Sequence, residues 1–305
     1  MTKKFYIIMC VLGILIAMSL MFWRTIYVWW EDLRFAYKFR LSTLWEPYLN
    51  QHQLSPLSTL NNPPPVSICF VTMETRGEKD EYVRLHNSNL RAYVRYRNQQ
   101  QSKTKTHYTY LFQTKCKPEK FRHEHNVYWC KFFYLREVLE QGKYDYVAWL
   151  DSDTAIGDFD VDFARVLTRY QGHWFAGLDK PDKYDLLNAG VVIVRNSKLG
   201  RKILRAITET YNDDRFQRKC VKNKGQESQS TTLTGAWAQT CYEQGVMNRI
   251  LYDRFREYVT ILPPEYIHNG MVCDGDFITH LYNSSPTARA NCFRSLIPSP
   301  HETLS

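Results

Sequence analysis

The pattern of apolar and polar positions divides the chain into three zones. Phe5 to Trp23, FYIIMCVLGILIAMSLMFW, is nineteen residues without a charge, preceded by Lys3 and Lys4 and followed by Arg24. At ~1.5 Å of rise per residue it spans roughly 28 Å, close to the thickness of a hydrocarbon core. The run is longer than the apolar part of a signal peptide and no A-x-A-like site follows it, so residues 5–23 are expected to be a transmembrane signal anchor in the bilayer. Trp23, Tyr27, Trp29 and Trp30 form an aromatic belt. The two lysines of tail 1–4 favour a cytosolic N-terminus and a lumenal remainder, against the pull of Arg24, Arg34, Lys38 and Arg40 on the far side. Residues 24–65 lack a sustained apolar period and end in the proline run NNPPP, which can neither continue a helix nor join a sheet; they read as a stem.

From residue 66 to 298 the pattern alternates, and a short tail, 299–305, closes the chain. VSICFVTM at 66–73, HYTYLFQ at 107–113, YDYVAWL at 144–150, 173–178 and 190–194 read as strands. Helices are expected near 79–97, over 126–141 with Gly142 as its stop, near 160–169, over 198–211 and near 242–256, with further strand-like segments at 259–263 and 277–282. Strands alternating with helices at this spacing give an α/β architecture with a mostly parallel sheet, whose ligands bind beyond the carboxyl ends of the strands. The stretch 213–239 has little periodicity and is long for a connection, so it reads as disordered or as a mobile substrate loop.

Composition narrows the classes. An aromatic fraction of 15% with 23% charged residues excludes a disordered chain, and 8 cysteines in 305 residues are too sparse for a disulfide miniprotein. The mean hydropathy of −0.46 excludes a protein of many membrane spans. A net charge of +9 raises the question of nucleic acid, but the basic residues are scattered and no nucleic-acid-binding module is present. Outside the anchor, sequence neighbours suggest the disulfides Cys116–Cys130, Cys220–Cys241 and Cys273–Cys292, one of fifteen pairings six cysteines allow, with Cys69 a buried free thiol.

The candidate chemistry sits at the end of the third strand. Asp151-Ser152-Asp153 follows Leu150 directly, so two carboxylates two residues apart can face one hard divalent cation, Mg²⁺ or Mn²⁺, bound together with substrate phosphates. A D-x-D is equally common as a solvated turn, and the strand context is what favours the metal. Asn188-Ala189-Gly190 leads into the strand VVIVRN; Asn188 offers donor and acceptor to a hydroxyl-rich partner, and Gly190 allows close backbone approach to a ligand. Thr72 and Arg76 end the first strand where a nucleotide would lie. His280, by itself more often a packed polar residue, becomes a third metal ligand beside the two aspartates.

The run VYWCKFFYLREVLEQGKYDYVAWLDSDTAI at 127–156, then LLNAGVVIVRNSKLGRKIL at 186–204, EQGVMNRIL at 243–251 and the late His280, resembles the family-34 glycosyltransferases and their relatives, over roughly 66–292. The resemblance implies a GT-A fold (a Rossmann-like, mostly parallel sheet flanked by helices), a type II protein of the Golgi or ER membrane, and metal-dependent transfer from a UDP- or GDP-linked sugar to a glycan or glycoprotein acceptor with retention of configuration. Position by position it implies Asp151, Asp153 and His280 as metal ligands and Gln244 near the anomeric carbon; Glu243 is a second candidate there, Asp153 is also expected to be catalytic through the metal, and Ser152, Asn188, Ala189 and Gly190 are expected about the nucleotide sugar. A cation there stabilises the departing β-phosphate. Two departures stand out: Tyr242-Glu243 precedes Gln244 where the family has an acidic pair, and His280-Leu281-Tyr282-Asn283-Ser284 replaces its H-F-x-G-C ending. Two other classes stay open: a catalytically silent subunit scaffolding a glycosyltransferase complex, and a metal-dependent sugar-binding protein.

Overall fold

The computed structural model describes residues 65–100, 106–116, 124–179, 186–216, 242–270, 273, 276–282 and 284–296, with Ser19 and Phe22 as two isolated helical positions. The expected tail 1–4, the rest of the anchor 5–23, stem 24–64, the Cys220–Cys241 pairing, most of loop 213–239 and the tail 299–305 lie outside the described residues. Among the described residues no helix is long and apolar enough to cross a membrane.

Nearly every apolar run becomes a strand buried on both faces. β1 (Ser67–Met73), β2 (His107–Gln113), β3 (Tyr146–Leu150), β5 (Trp174–Leu178), β6 (Leu187–Arg195) and β7 (Val259–Ile261) form one sheet in the order β2-β1-β3-β6-β5-β7. β6 is antiparallel to both neighbours, β3 and β5; the other five strands run one way. The uninterrupted apolar reading of β3 and β5 follows, because helices cover both faces of such a sheet. On one face, Ile68, Phe70, Ala148 and Ile193 join a core with Leu90 and Tyr93 of α1 (Glu81–Gln99) and Phe163 and Leu167 of α3 (Phe163–Thr168). On the other lie α2 (Cys130–Glu140) and α4 (Lys198–Asn212), which pack on each other; Phe132 of α2 meets Trp174 at 6.1 Å between ring centroids. α2 ends where its glycine stop was expected, with Gly142 at φ +70°.

A second sheet of three short strands, β4 (Thr154–Ile156), β9 (Ile278–His280) and β8 (Ile267–Asn269), forms at the carboxyl edge of the first. β4 and β8 escape the sequence pattern because three residues show no period. The expected helix 242–256 is realised as α5 (Glu243–Ile250) followed by a π turn at Leu251–Phe255 and a 3-10 turn at Arg256–Tyr258. An unanticipated helix, α6 (Pro286–Leu296), packs on α1; Ser285 caps it by accepting from the Ala288 N–H at 3.1 Å, and Pro286 occupies its first turn. Cys273–Cys292 ties α6 to the loop before β9, Cys116–Cys130 ties the start of α2, and Cys69 is a buried free thiol, pushed up to about 12 by burial.

The inner face of α1 is polar, and it grips β4. Asn89 donates to the Ile156 carbonyl at 2.9 Å and accepts from its N–H at 2.8 Å, completing the edge of β4 as a strand would. His86, fully buried, has Nδ1 2.8 Å from the Thr154 carbonyl and Nε2 3.3 Å from the Thr72 hydroxyl. Burial pushes the His86 imidazole down to about 4, so it is neutral and Nδ1 carries the proton donated to Thr154. Below pH ~6.5 the unfolded chain gains a proton at His86 that the native state refuses until pH ~4, so stability is lost across that interval by up to ~3 kcal/mol. Urea denaturation at pH 7 and pH 4.5 should show a smaller acid loss in His86→Gln than in the unsubstituted protein; equal losses would contradict a neutral His86.

Candidate active site

Because β6 runs backwards, its first residues lie beside the last residue of β3, and the Asp151 N–H donates to the Gly190 carbonyl at 2.8 Å. The turn Asp151-Ser152-Asp153 leads into β4, whose partner β9 ends on His280; Thr154 is registered opposite His280. Sheet edge, turn and second sheet thus enclose a cavity of about 200 Å³ lined by Asp151, Asp153, Asn188, Glu243, Gln244 and His280, among others. A larger cavity of about 300 Å³, beside the Cys116–Cys130 disulfide, shares none of these lining residues and brings together no comparable set of ligating groups.

Asp151, Asp153 and His280 each turn a ligand atom to one point, all within 4.8 Å of one another. Two carboxylates and an imidazole suit a divalent first-row cation or Mg²⁺, and the shell behind them is built for one. The Asn269 amide donates to the Leu178 carbonyl at 2.6 Å, which turns its Oδ1 toward His280 Nδ1, 2.9 Å away. Asn269 therefore holds the His280 Nδ1 proton and leaves Nε2, 3.2 Å from Asp153 Oδ1, as the atom facing the ligand point. Gly190 has a concrete task here: a Cβ on it would fall on the His280 ring. Its missing side chain makes room for the His280 ring, whereas close approach to a substrate was the sequence expectation.

Without a cation the cluster is neutralised from within. Arg289 of α6 pairs with Asp153 Oδ2 at 3.0 Å, and Lys131 of α2 lies 3.1 Å from Asp151 Oδ1 and 3.3 Å from Glu243 Oε1. Burial pushes the Asp153 carboxyl up, but His280 and Arg289 outweigh it and hold it well below the usual carboxylate range. For His280 and Lys131 burial favours the neutral form, yet the facing carboxylates raise both. Glu243 is raised, chiefly by burial, and its Oε2 is buried with no hydrogen-bond partner among the described residues. An orphaned carboxylate oxygen on a cavity wall is a place for a ligand hydroxyl.

The sequence-derived residues do not all converge. Asn188 lines the cavity; its amide donates to Asp179 at 2.6 Å and its Oδ1 accepts from the Gly190 N–H at 2.6 Å. Gln244 also lines it, with Oε1 accepting from the Ala189 N–H at 3.0 Å. Ser152 and Arg76 stand one layer back: the Ser152 hydroxyl donates to Glu74 at 2.8 Å, and the same carboxylate takes the Arg76 guanidinium at 2.8 Å. Thr72 belongs to the core instead of the cavity wall, being fully buried with its hydroxyl donating to the Leu150 carbonyl at 2.8 Å. An inward-pointing position on β1 has no route to a ligand, which corrects the nucleotide contact expected of it. Missed by sequence reasoning were Lys131, Arg289, Asn269 and Asn248, whose amide fastens α5 to β6 through both the N–H and the carbonyl of Leu187 at 2.8 and 2.9 Å. A lysine inside the apolar stripe of a helix was the available signal for Lys131.

No protein-family model matches the chain, and no curated protein matches it. Among solved structures it is similar to a glycosyltransferase involved in the glycosylation of the major capsid of PBCV-1, with TM-score 0.51 and 15% identity over 76% of this chain and 100% of that one. The chain shares its fold with a glycosyltransferase. Two further similarities are more distant: mouse xyloside xylosyltransferase 1 (TM-score 0.38, 11% identity, 70% of this chain and 97% of that one) and the galactosyltransferase LgtC in complex with donor and acceptor sugar analogues (0.37, 12%, 77% and 98%). At these identities the likeness establishes fold alone, and the chemistry has to come from the cavity.

Two substitutions separate the parts of this site. Gly190→Ala should displace the His280 ring and weaken Mn²⁺ binding, read by calorimetry or Mn²⁺ electron paramagnetic resonance, by at least about tenfold, in line with the loss of one positioned ligand. Lys131→Met should leave the buried Glu243 and the part-exposed Asp151 facing each other without their cation and cost on the order of 3 kcal/mol in urea denaturation. A loss under 1 kcal/mol would show that the lysine is not the partner both carboxylates need.

Proposed function

We propose that the chain is a metal-dependent glycosyltransferase that moves a hexose or pentose from a UDP- or GDP-linked sugar to a glycan or glycoprotein acceptor. The observation that carries this reading is the convergence of Asp151, Asp153 and His280 at the carboxyl edge of a glycosyltransferase fold, beside the buried Glu243-Gln244 wall. Kinship with family 34, retention of configuration and the choice of Mn²⁺ over Mg²⁺ rest on the order of motifs from residue 127 to 280. The apolar run 5–23 supports a type II anchor in the Golgi or ER membrane with the catalytic domain lumenal.

Asp151, Asp153 and His280 would hold a divalent cation, and the chemistry such an ion would supply there is positive charge for a departing β-phosphate. The remaining work falls to this chain's side chains. Asn269 and Gly190 fix the His280 ring, and α1 fixes the turn by gripping β4, so the ligand set is in place before substrate arrives. Gln244, held by the Ala189 N–H, stands with Glu243 along the donor sugar, near the centre that gains oxocarbenium-like charge. Glu243 Oε2 accepts a sugar hydroxyl, satisfying an oxygen left without a hydrogen-bond partner among the described residues.

One feature favours a second reading, a catalytically silent scaffold subunit: Lys131 and Arg289 already neutralise the carboxylates that would take the metal. Full-length protein in detergent, incubated with UDP-xylose, UDP-galactose, UDP-glucose and GDP-mannose in Mn²⁺, decides between them by nucleotide release. The expected result is release with one donor, abolished by chelation and cut about a hundredfold or more in Asp153→Ala. No release with any donor, and no effect of the substitution, would leave the scaffold.

A further inference from the structure

Two tyrosines line the cavity beside the groups already described: Tyr282, whose ring centroid is 5.7 Å from that of the proposed metal ligand His280, and Tyr128, which is the one turned away from that set. Tyr128, in the turn that enters α2, lines the cavity and is 40% exposed; its neighbour Val127 is 38% exposed, and among the described residues only Phe22 and Tyr258 are large apolar side chains as open as these two. Tyr242, the residue before α5, stands behind Tyr128 with ring centroids 6.4 Å apart and planes inclined at 52°. Both tyrosines precede the buried charges closely: Tyr128 comes three residues before Lys131, and Tyr242 one before Glu243. Burial first, and then the nearby Glu243 carboxylate, raise the Tyr128 hydroxyl.

Two sets of groups line the cavity with the Lys131 ammonium between them: Asp151, Asp153 and His280, the set that would hold a cation and so meet a diphosphate, and Glu243 with Gln244, which on the glycosyltransferase reading face the sugar being transferred. Tyr128 lies on the side of Glu243, so a molecule approaching that side from solvent would meet its ring. A pyranose has hydroxyls at its perimeter and a face of C–H bonds, which is electropositive and apolar; the face of an aromatic ring is electronegative and apolar. A tyrosine also offers that face at a low entropic cost, having two rotatable side-chain angles.

We propose that Tyr128, backed by Tyr242, is the platform on which the acceptor's sugar ring lies, so that the group attacked is a hydroxyl of an existing saccharide and the acceptor is a glycan rather than a bare serine or threonine of a polypeptide. This rests on the glycosyltransferase reading and adds the acceptor subsite and acceptor class to it. The ring face carries the interaction, and the phenol hydroxyl is dispensable.

The test uses the full-length protein with its best donor. Acceptors are the α- and β-methyl glycosides of xylose, galactose, glucose and mannose, together with a serine- and threonine-containing peptide. The expected result is transfer to a methyl glycoside, with the acceptor KM raised about tenfold or more in Tyr128→Ala, the scale of a lost aromatic stack, and within about twofold of the original in Tyr128→Phe. Binding of UDP or GDP with Mn²⁺, followed by calorimetry, should change by less than about twofold in both variants. An unchanged acceptor KM in Tyr128→Ala, preferential transfer to the peptide, or a fall in nucleotide affinity (a ring that stacks the base) overturns the acceptor platform while leaving the glycosyltransferase reading intact. Failure of the unsubstituted protein to release nucleotide from any donor overturns both.

Discussion

Everything about the cavity depends on one buried cation, Lys131. Its ammonium is held inside the protein by Asp151, Glu243 and the Ala189 carbonyl, which come from the end of β3, the start of α5 and the start of β6. Three segments far apart in sequence are thereby fixed to a point on α2. A carboxylate or ammonium alone at that depth would be neutralised or expelled, so each of these groups is tolerable only because the others are present. The balance is drawn from the protein itself: Asp151, Asp153 and Glu243 face Lys131, Arg289 and the His280 imidazole, which the facing carboxylates raise. A cation would have to compete with these groups for Asp151 and Asp153, while Glu243 Oε2, without a hydrogen-bond partner among the described residues, is open to a hydroxylated ligand.

Topology explains why these residues meet. In a sheet with all strands parallel, the start of β6 would lie at the opposite edge from the end of β3. Reversal of β6 puts Asn188, Ala189 and Gly190 beside Asp151, so residues that begin one strand and residues that end another share one wall. The second sheet closes the other side by pairing β4 with β9, and it can approach so near only because position 190 has no side chain. The positions of the two aspartates and of His280 are therefore consequences of the same backbone pairings, and a shift in any one would move all three.

How much of this could be read from residues follows from what each signal measures. Hydrophobic period finds elements that bury a long stripe, and β1, β2, β3, β5, β6 and α4 were legible for that reason. It is blind to strands of three residues and to a helix such as α6, whose start is set by Ser285 and Pro286 rather than by a stripe. The Asp-Ser-Asp turn was legible because an apolar strand ending on two acids is chemically odd. His280 was legible only in company, beside the two aspartates and in the order of the family's motifs, since a lone histidine in a strand is more often a packed polar residue. Asn269, Asn248 and Arg289 were not: a buried amide that satisfies a backbone group looks in sequence like any polar loop residue. Thr72 failed in the opposite direction, since a strand's last residues alternate between cavity and core, and sequence does not say which side the ligand is on.

The polar inner face of α1 shows the same logic at the level of the whole site. His86, Asn87 and Asn89 are buried where a helix of this kind would ordinarily place aliphatic residues. An apolar face would bury more area, yet it could not hold β4, whose backbone groups need partners at the edge of a three-stranded sheet. His86 and Asn89 supply those partners within three residues of Asp153. The turn that carries the aspartates is thus fixed on both sides by hydrogen bonds of defined direction, to Gly190 through Asp151 and to α1 through Thr154 and Ile156. Hydrophobic contact would tolerate a sliding turn, whereas these bonds do not, and two carboxylates can share one ion only if neither slides.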